Sequence, residues 1–321
     1  MSMAVYTKVS EQELREFLSS YGIGTLVSFE GIEAGVSNTN YFITTDKGRY
    51  ILTLFEPRRV KLEDIPFFID YAICLNDGGV PCPDTLRRKD GEALAMLKDR
   101  PAAIFSLLEG EGGSLKMLNE GFCEKAGATL AQMHLAVHAF TKTAPNHFGP
   151  RRWQDWLTQI GPAANDIAPG LFKFVADEYD FVASHWPKDL PSGAIHADYF
   201  PDNVFFKDGD VSGVIDFHFV CTDFFAYDLA IALNAWSFDE RNVYHADRFD
   251  ALMRGYQSMR PLSAEEMRSL PVLLRGAALR FLLSRIEEKL AWKPSDFMTP
   301  HDPMVFEKRL THFQLTGLIV P

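Results

Sequence analysis

Polar residues that could support catalysis concentrate in the stretch IHADYFPDNVFF (195–206). Asp198 and Asn203 lie five residues apart on one loop, and Asp216 ends the next short apolar run, VID. Apolar segments flank an Asp-Gly turn at 208–209, which predicts a β-hairpin with the three side chains at its mouth. Phosphoryl transfer needs a carboxylate that orients and deprotonates the attacking hydroxyl, and oxygen ligands for Mg²⁺. Two Asp and one Asn side chain can provide both.

The competing interpretation is a chance turn, because Asp and Asn are common in turns. A single HxDxxxxN match would not decide between the two, but the returning strand with Asp216 favours catalysis. The chain has neither a GxxxxGK[ST] phosphate loop nor a GxSxG nucleophile elbow. His134 and His138 are spaced four apart on a predicted helix, and we interpret them as core or surface residues because no third metal ligand is near.

The residues before this stretch predict a mostly antiparallel sheet with one inserted helix. Ser10, with Glu13 three residues later, predicts a helix start. The predicted helices cover 10–20 and 65–75, and the predicted strands cover 25–29, 41–45, 50–55, 85–88, 92–97 and 102–107. The strands 85–88 and 92–97 are expected to form a second hairpin around Asp90-Gly91.

A glycine-rich, strand-breaking segment at 108–113 is the candidate linker, and helical periodicity dominates after it. The predicted helices cover 118–138, 151–160, 171–185, 225–236, 246–258, 264–292 and 302–317. We therefore expect an α+β protein with two lobes, namely a nucleotide-binding β lobe over 1–107 and a mainly helical catalytic and substrate lobe over 108–321. Protein kinases place their ATP site between lobes in this order.

Composition narrows the class of protein. The 321 residues are 47% apolar and 23% charged with a net charge of −11, which argues against nucleic-acid binding because phosphate backbones select basic surfaces. No apolar run of about 18 residues predicts a membrane span, and no secretion signal is recognisable, so we expect a cytoplasmic protein. The four cysteines have no paired spacing and are expected to be buried free thiols.

The chain resembles the protein-kinase-like small-molecule kinases, which include aminoglycoside phosphotransferases, choline kinases and methylthioribose kinases. Within that group it most closely resembles the homoserine kinases of the aminoglycoside-phosphotransferase type. The segments that carry the resemblance are GVSNTNYFITT (35–45), RYILTLFE (49–56), GVPCP (79–83), LAQMHLAVHAF (130–140), IHADYFPDNVFF (195–206) and GVIDFHFVCTDFFAYDLAIALNAW (213–236). They span most of the chain and imply ATP-dependent phosphorylation of a small hydroxyl, with L-homoserine as acceptor in threonine biosynthesis.

The resemblance also implies a role for each residue of the site. Asp198 is expected to be the catalytic base, and His196 to brace its loop by hydrogen bonds. Asn203 and Asp216 are expected to bind Mg²⁺. Asp228, on the following helix, is expected to hold the catalytic loop, the alternative being a helix N-terminal charge stabilised by the helix dipole.

ATP is expected to lie under the loop from residue 35 to residue 40, where Gly35, Ser37, Asn38 and Asn40 would contact the phosphates. An ordinary β-turn is the alternative for this loop. Related kinases present Lys or Arg on the following strand, but Thr53 occupies that position here. Either the alignment is shifted, or Arg49, Arg58 or Arg59 reaches in, or Mg²⁺ carries more of the phosphate charge.

Homoserine carries a carboxylate and an ammonium group, so its site needs a cation and an acceptor. Arg280 and Arg285 are the candidate anchors for the carboxylate, and Asp202 and His218 for the ammonium. Aromatic residues near 224–236 could surround a quaternary ammonium, so a choline-type acceptor is an alternative. Methylthioribose and an aminoglycoside are further alternative acceptors. A catalytically weak, nucleotide-binding regulatory protein is the alternative from another class. The sequence leaves the oligomeric state open.

Overall fold

The structure is a computed structural model that describes residues 7–32, 38–57, 61–293 and 299–316. It begins with helix α1 (Glu11–Leu18), which starts as the sequence predicts: the Ser10 hydroxyl accepts from the Glu13 backbone N–H, and the Glu13 carboxylate accepts from the Ser10 N–H. Leu14 and Leu18 of this helix are buried in the core of the first lobe.

An antiparallel sheet with one inserted helix makes up the first lobe, as expected. Its elements are β1 (Leu26–Gly31), β2 (Thr39–Thr45), β3 (Gly48–Leu54), α2 (Ile65–Asp77), β4 (Ala95–Leu97) and β5 (Arg100–Ser106). The strand order is β1-β2-β3-β5-β4. The alternating burial along β2 fits a strand with one face on the core.

The sequence predicted that the strands 85–88 and 92–97 pair with each other around Asp90-Gly91, and this pairing is wrong. The turn itself forms, because Gly91 N–H donates to the Arg88 carbonyl at 2.9 Å. However, β4 pairs with β5 through a turn at Lys98-Asp99, where both residues have positive φ, and Thr85 and Arg88 make only isolated bridges. The fully buried centre of β5 (residues 102–104) lies between β3 and β4, so its apolar side chains decided the pairing.

Helices dominate the second lobe at the predicted places. They are α3 (Glu120–Ala136), α4 (Pro150–Ile160), α5 (Leu171–His185), α6 (Phe225–Trp236), α7 (Ala246–Met259), α8 (Ala264–Ala291) and α9 (Met304–Thr316). Every residue of α6 is buried, so this helix forms the centre of the large hydrophobic core. Among the described residues, no helix is long and apolar enough to cross a bilayer.

The hairpin predicted within the helical lobe is present. β8 (Val204–Lys207) pairs with β9 (Asp210–Val214) around Asp208-Gly209. A second ladder joins β7 (Ser192–Ile195) to β10 (Cys221–Phe224). Together they hold the segment 196–203 between β7 and β8, and Asp216 between β9 and β10.

The sequence suggested that the glycine-rich segment 108–113 is a linker, and the structure shows that it also forms part of a sheet. Its residues β6 (Glu111–Gly112) add a short strand to β8. A Cβ on Gly113 would lie 2.6 Å from the Pro201 carbonyl oxygen, so glycine is required for this close approach. The segment therefore attaches the first lobe to the candidate catalytic loop, and the boundary at residue 107 stays a prediction.

Helices α3 and α7 approach each other closely at two glycines. A Cβ on Gly127 would overlap the Leu252 carbonyl oxygen, and a Cβ on Gly255 would overlap the Glu124 carbonyl oxygen. These contacts are between backbones, which cannot move aside as a flexible side chain can. The pair of glycines therefore sets the distance between the two helices.

We expect Gly255→Ala to lower the free energy of unfolding by about 1–3 kcal/mol, because the added methyl group overpacks a backbone contact. Intrinsic helix propensity would act the other way by about 1 kcal/mol. The control is Gly121→Ala on the exposed start of α3, where the added Cβ meets only the Asn119 side chain. Urea unfolding of both variants measures the difference, and equal stability of the two would contradict close packing at Gly255.

Candidate active site

A buried carboxylate, Asp228 on α6, holds the loop that follows β7. Its Oδ2 accepts from the backbone N–H of His196 at 2.8 Å, and its Oδ1 accepts from the N–H of Ala197 at 2.8 Å. His134 Nε2 lies 3.0 Å from the same Oδ2. Burial raises the pKa of Asp228, but its hydrogen bonds with His134 and with the backbone outweigh this effect, so the pKa lies below its ordinary value.

Two residues of the site have backbone conformations that L-residues rarely adopt. Ala197 has φ 61° and Asp216 has φ 66°, both in the left-handed region. Such conformations persist only where surrounding contacts hold them. At Ala197 these contacts are the Asp228 carboxylate on its N–H and the Arg280 guanidinium on its carbonyl oxygen.

His196 connects the loop that carries Asp198 to the end of the strand before Asp216. Its Nε2 donates to the Ile215 carbonyl oxygen at 3.0 Å, so its Nδ1 is the acceptor for the Asp198 N–H at 3.2 Å. The ring is buried, and burial lowers the pKa of His196, in keeping with a neutral imidazole. The structure therefore places His196 as a brace between the loop of Asp198 and the strand end of Asp216.

Asp198 lies at the centre of these contacts. Burial raises the pKa of Asp198 to about 7, with the positive charge of Arg280 opposing the rise and the carboxylate of Asp216 adding to it. A carboxylate with such a pKa is suited to accept a proton near neutral pH.

Asn203 and the residue before Asp216 are joined through the backbone, because the Ile215 N–H donates to the Asn203 carbonyl oxygen at 2.9 Å. Asn203 Nδ2 donates to the Asp198 carbonyl oxygen at 2.9 Å, so its Oδ1 is left without a hydrogen bond among the described residues. Asp216 uses Oδ1 to bind His218, which leaves Oδ2. Burial raises the pKa of Asp216, but its interaction with His218 outweighs this effect and lowers the pKa to about 2. An amide oxygen and an ionised carboxylate are the hard donors that Mg²⁺ prefers.

The two lobes meet at His218. Its Nδ1 donates to Asp216 and its Nε2 accepts from the side-chain amide of Asn38, whose own Oδ1 accepts from the Glu56 N–H at 3.1 Å. Both ring nitrogens are therefore used, which differs from the sequence-based expectation that His218 binds the substrate ammonium. Asn38 thus joins the start of β2 to the Asp216 segment, and its expected contact with the phosphates stays a prediction.

Thr53, which occupies the strand position where related kinases have Lys or Arg, forms a hydrogen bond with a neighbouring strand. Thr53 Oγ1 donates to Asn40 Oδ1 at 2.8 Å across the β2–β3 pair, so Asn40 supports the strand instead of facing free space. Arg49 lies four residues away on β3 and stacks on Phe42, too far along the strand to replace the missing cation. Four residues of the expected ATP contacts lie outside the described residues: Gly35, Ser37, Arg58 and Arg59.

The two expected carboxylate anchors on α8 differ in their surroundings. Arg280 is almost fully buried, and its Nη1 donates to the Ala197 carbonyl oxygen, so it supports the catalytic loop from behind. Arg285 stacks on Phe306 and has no hydrogen bond to another described residue. Asp202, the other expected contact, lies exposed on the short turn before β8.

A buried polar chain, which sequence reasoning missed, continues from Asp228 through His134. His134 Nδ1 accepts from the Tyr256 hydroxyl at 2.7 Å, and Arg260 donates to that hydroxyl at 3.1 Å and to Glu266 at 2.8 Å. Glu266 caps the start of α8. The sequence carries no signal for this chain, because its members are separated by up to 132 positions and meet only in the fold.

Comparisons with known proteins agree with this arrangement. Residues 28–262 match the phosphotransferase enzyme family. A homoserine kinase of Methylobacterium radiotolerans is 47% identical over 96% of this chain and 95% of its own length, and one of Paramagnetospirillum magneticum is 44% identical over 98% of both. Among solved structures, an amicoumacin kinase in complex with AMP-PNP and Ca²⁺ has a TM-score of 0.71 at 15% identity, covering 96% of this chain and 93% of its own. A spectinomycin phosphotransferase in complex with ADP and spectinomycin has a TM-score of 0.68 at 13% identity, covering 98% and 96%.

We expect Asp228→Asn to loosen the catalytic loop and to lower the free energy of unfolding by about 3–5 kcal/mol, because an amide nitrogen replaces one acceptor in a buried charged network. Hydrogen exchange of the peptide covering 195–203 should accelerate. The control is Asp247→Asn in the exposed first turn of α7, which removes a helix-dipole charge worth about 0.3–1 kcal/mol and a 4.0 Å contact with His245. Equal effects of the two substitutions would mean that Asp228 acts only through the dipole.

Proposed function

The chain belongs to the phosphotransferase enzyme family, and we infer from this membership that it transfers the γ-phosphoryl group of ATP to the hydroxyl of L-homoserine, giving O-phospho-L-homoserine, a step of threonine biosynthesis. The observation that carries the acceptor is the near-full-length similarity to curated homoserine kinases of several species. Membership of this family and the similarity to homoserine kinases indicate that the nucleotide is ATP and that the metal is Mg²⁺. The cytoplasmic location stays a prediction.

Asp198 is the group we propose as the catalytic base. Its carboxylate is surrounded by polar groups that are already engaged, since His196 binds its backbone N–H and Asn203 binds its carbonyl oxygen. The side chain can therefore hold the acceptor hydroxyl in line with the γ-phosphate and take its proton as the new O–P bond forms. The leaving group is ADP.

Asn203 and Asp216 are the residues we propose as protein ligands of the metal. These two side chains would hold Mg²⁺, which would supply positive charge to offset the negative charge on the phosphate groups. The described residues contain no cluster of three or more His, Cys, Asp or Glu side chains arranged for a metal. Two protein oxygens fit Mg²⁺ all the same, because it takes the rest of its shell from phosphates and water.

A catalytically weak regulatory protein remains the alternative from another class, suggested by Thr53 at the usual lysine position. Thr53 has a hydroxyl that is satisfied by Asn40, so this position contributes no charge to ATP. The complete set of Asp198, Asn203 and Asp216, held by Asp228 and His196, supports the enzyme. No contact among the described residues favours regulation over catalysis.

Asp198→Ala is expected to lower kcat by about 10²–10⁴-fold, the usual contribution of one general base. The affinity for Mg·ATP should change little, because this carboxylate meets the acceptor and not the nucleotide. Steady-state kinetics and calorimetric titration of Mg·AMP-PNP measure the two quantities, with exposed Asp189→Ala as the matched control. A variant that keeps more than about a tenth of the wild-type kcat would remove Asp198 from this role.

The acceptor itself is tested by an enzyme-linked ADP-release assay with L-homoserine, choline, methylthioribose and an aminoglycoside. We expect kcat/KM for L-homoserine to exceed the others by about 10²-fold or more, because a site that binds a charged head group rejects molecules that leave its polar groups unpaired. A higher kcat/KM for any of the other three would refute homoserine as the acceptor and leave the reaction class standing. No ADP release with any acceptor would favour the regulatory alternative.

A further inference from the structure

A cavity of about 290 Å³ lies beside the candidate active site, between the start of α2, the segment before α4, and α8. This volume is near the lower end of the range of about 300–1,000 Å³ for small-molecule sites. Its walls include the aromatic rings of Phe148 and Phe219, and its charged lining consists of Lys61, which lies 3.9 Å from Glu63, and of Asp64, Arg152 and Glu287. A space of this size with both signs of charge suits a small zwitterion.

The cavity reaches the catalytic groups through His218, which lines it and also binds Asp216. Arg280 lies behind the aromatic wall, with its guanidinium carbon 5.3 Å from the centre of the Phe148 ring and 5.8 Å from that of Phe219. The same guanidinium binds Ala197, the neighbour of Asp198. The cavity is therefore adjacent to the candidate catalytic loop.

The charges in the cavity are not equally engaged. Asp64 is paired with His147, with 3.2 Å between Oδ2 and Nε2. Arg152 has a distant partner in Asp155, at 3.8 Å. Glu287 is half-buried and has neither a hydrogen bond nor an ion pair within the described part of the chain. A cation and a carboxylate with spare hydrogen-bonding capacity thus face one space.

The helices that carry these two charges are fixed against each other. Trp153, next to Arg152, is fully buried, and a Cβ on Gly276 of α8 would lie 3.2 Å from its ring, so the two helices pack closely there. Glu287 follows Gly276 by 11 residues. At about 100° per residue it points within about 20° of the direction of Gly276, and so toward α4. Rigid helices hold a binding geometry better than loops do.

We propose that this cavity binds the amino-acid head group of the acceptor, with Arg152 on the carboxylate and Glu287 on the ammonium. The hydroxyl of the acceptor then extends past His218 to Asp198. This assignment rests on the proposed homoserine kinase activity, and it replaces the sequence-based anchors: Arg280 is engaged by the catalytic loop, and Arg285 does not line the cavity.

The test separates the two charges by using acceptors that lack one of them. Homoserine without its carboxylate is 3-aminopropan-1-ol, and without its ammonium it is 4-hydroxybutanoate. Arg152→Gln should raise the KM for L-homoserine by about 10- to 100-fold, the value of a charged hydrogen bond, and leave the KM for 3-aminopropan-1-ol within about 2-fold. Glu287→Gln should raise the KM for L-homoserine similarly and leave that for 4-hydroxybutanoate within about 2-fold.

The controls remove the same chemical groups outside the cavity. Arg151→Gln changes the exposed neighbour of Arg152, and Glu265→Gln changes an exposed acid in the first turn of α8. Both should keep the wild-type KM for L-homoserine. Arg152→Lys, which keeps the charge without the planar fork, should give an intermediate KM, and thermal unfolding establishes that each variant is folded.

Three outcomes would overturn the assignment. The first is a homoserine KM for Arg152→Gln and Glu287→Gln equal to that of the controls. The second is an equal loss with homoserine and with the analogue that lacks the matching charge. The third is Arg285→Ala raising the homoserine KM while Arg152→Gln does not. In each case the proposed kinase stands if the wild type phosphorylates homoserine, whereas a wild type that does not would overturn both.

Discussion

The site depends on one buried carboxylate. Asp228 accepts hydrogen bonds from two successive backbone N–H groups and from His134, and these contacts keep Ala197 in a left-handed conformation. Such a conformation is costly without support, and an unpaired charge at this depth would cost more. The carboxylate and the loop therefore stabilise each other, and the position of Asp198 follows from both.

Hydrogen bonds connect Asp228 and its loop to α8 and to the strand end before Asp216. On one side, the polar chain through His134, Tyr256 and Arg260 ends at the capping box of α8, the helix that also carries Arg280 and Glu287. On the other side, His196 connects the loop to the strand end before Asp216. A shift of α8 would therefore change the position of the loop 196–203, because the intervening groups are buried and hydrogen-bonded.

The contact between the lobes at His218 combines polar groups with an apolar core that both lobes share. His218 joins Asp216 to Asn38, which in turn binds the backbone of Glu56 at the end of β3. The smaller of the two apolar clusters lies within the first lobe, whereas the larger one spans both lobes, because it joins Phe55, α2 and Ala103 to the helical lobe. A change in lobe position would therefore disturb packed apolar side chains as well as the polar bridge.

Sequence alone determined the elements that are local in the chain and indicated a candidate set of reacting groups. The capping box at Ser10, the hairpin at Asp208-Gly209 and the set Asp198, Asn203 and Asp216 could be read because turn chemistry and short spacings act within a few residues. Tertiary structure decided the rest. The β4–β5 pairing, the partner of Asp228, the engagement of Arg280 and the cavity with Arg152 and Glu287 each join residues far apart in sequence. Burial and pairing between distant segments are set by the packing of the whole chain, so no local pattern reveals which charged residue will be engaged and which will be left to bind a ligand.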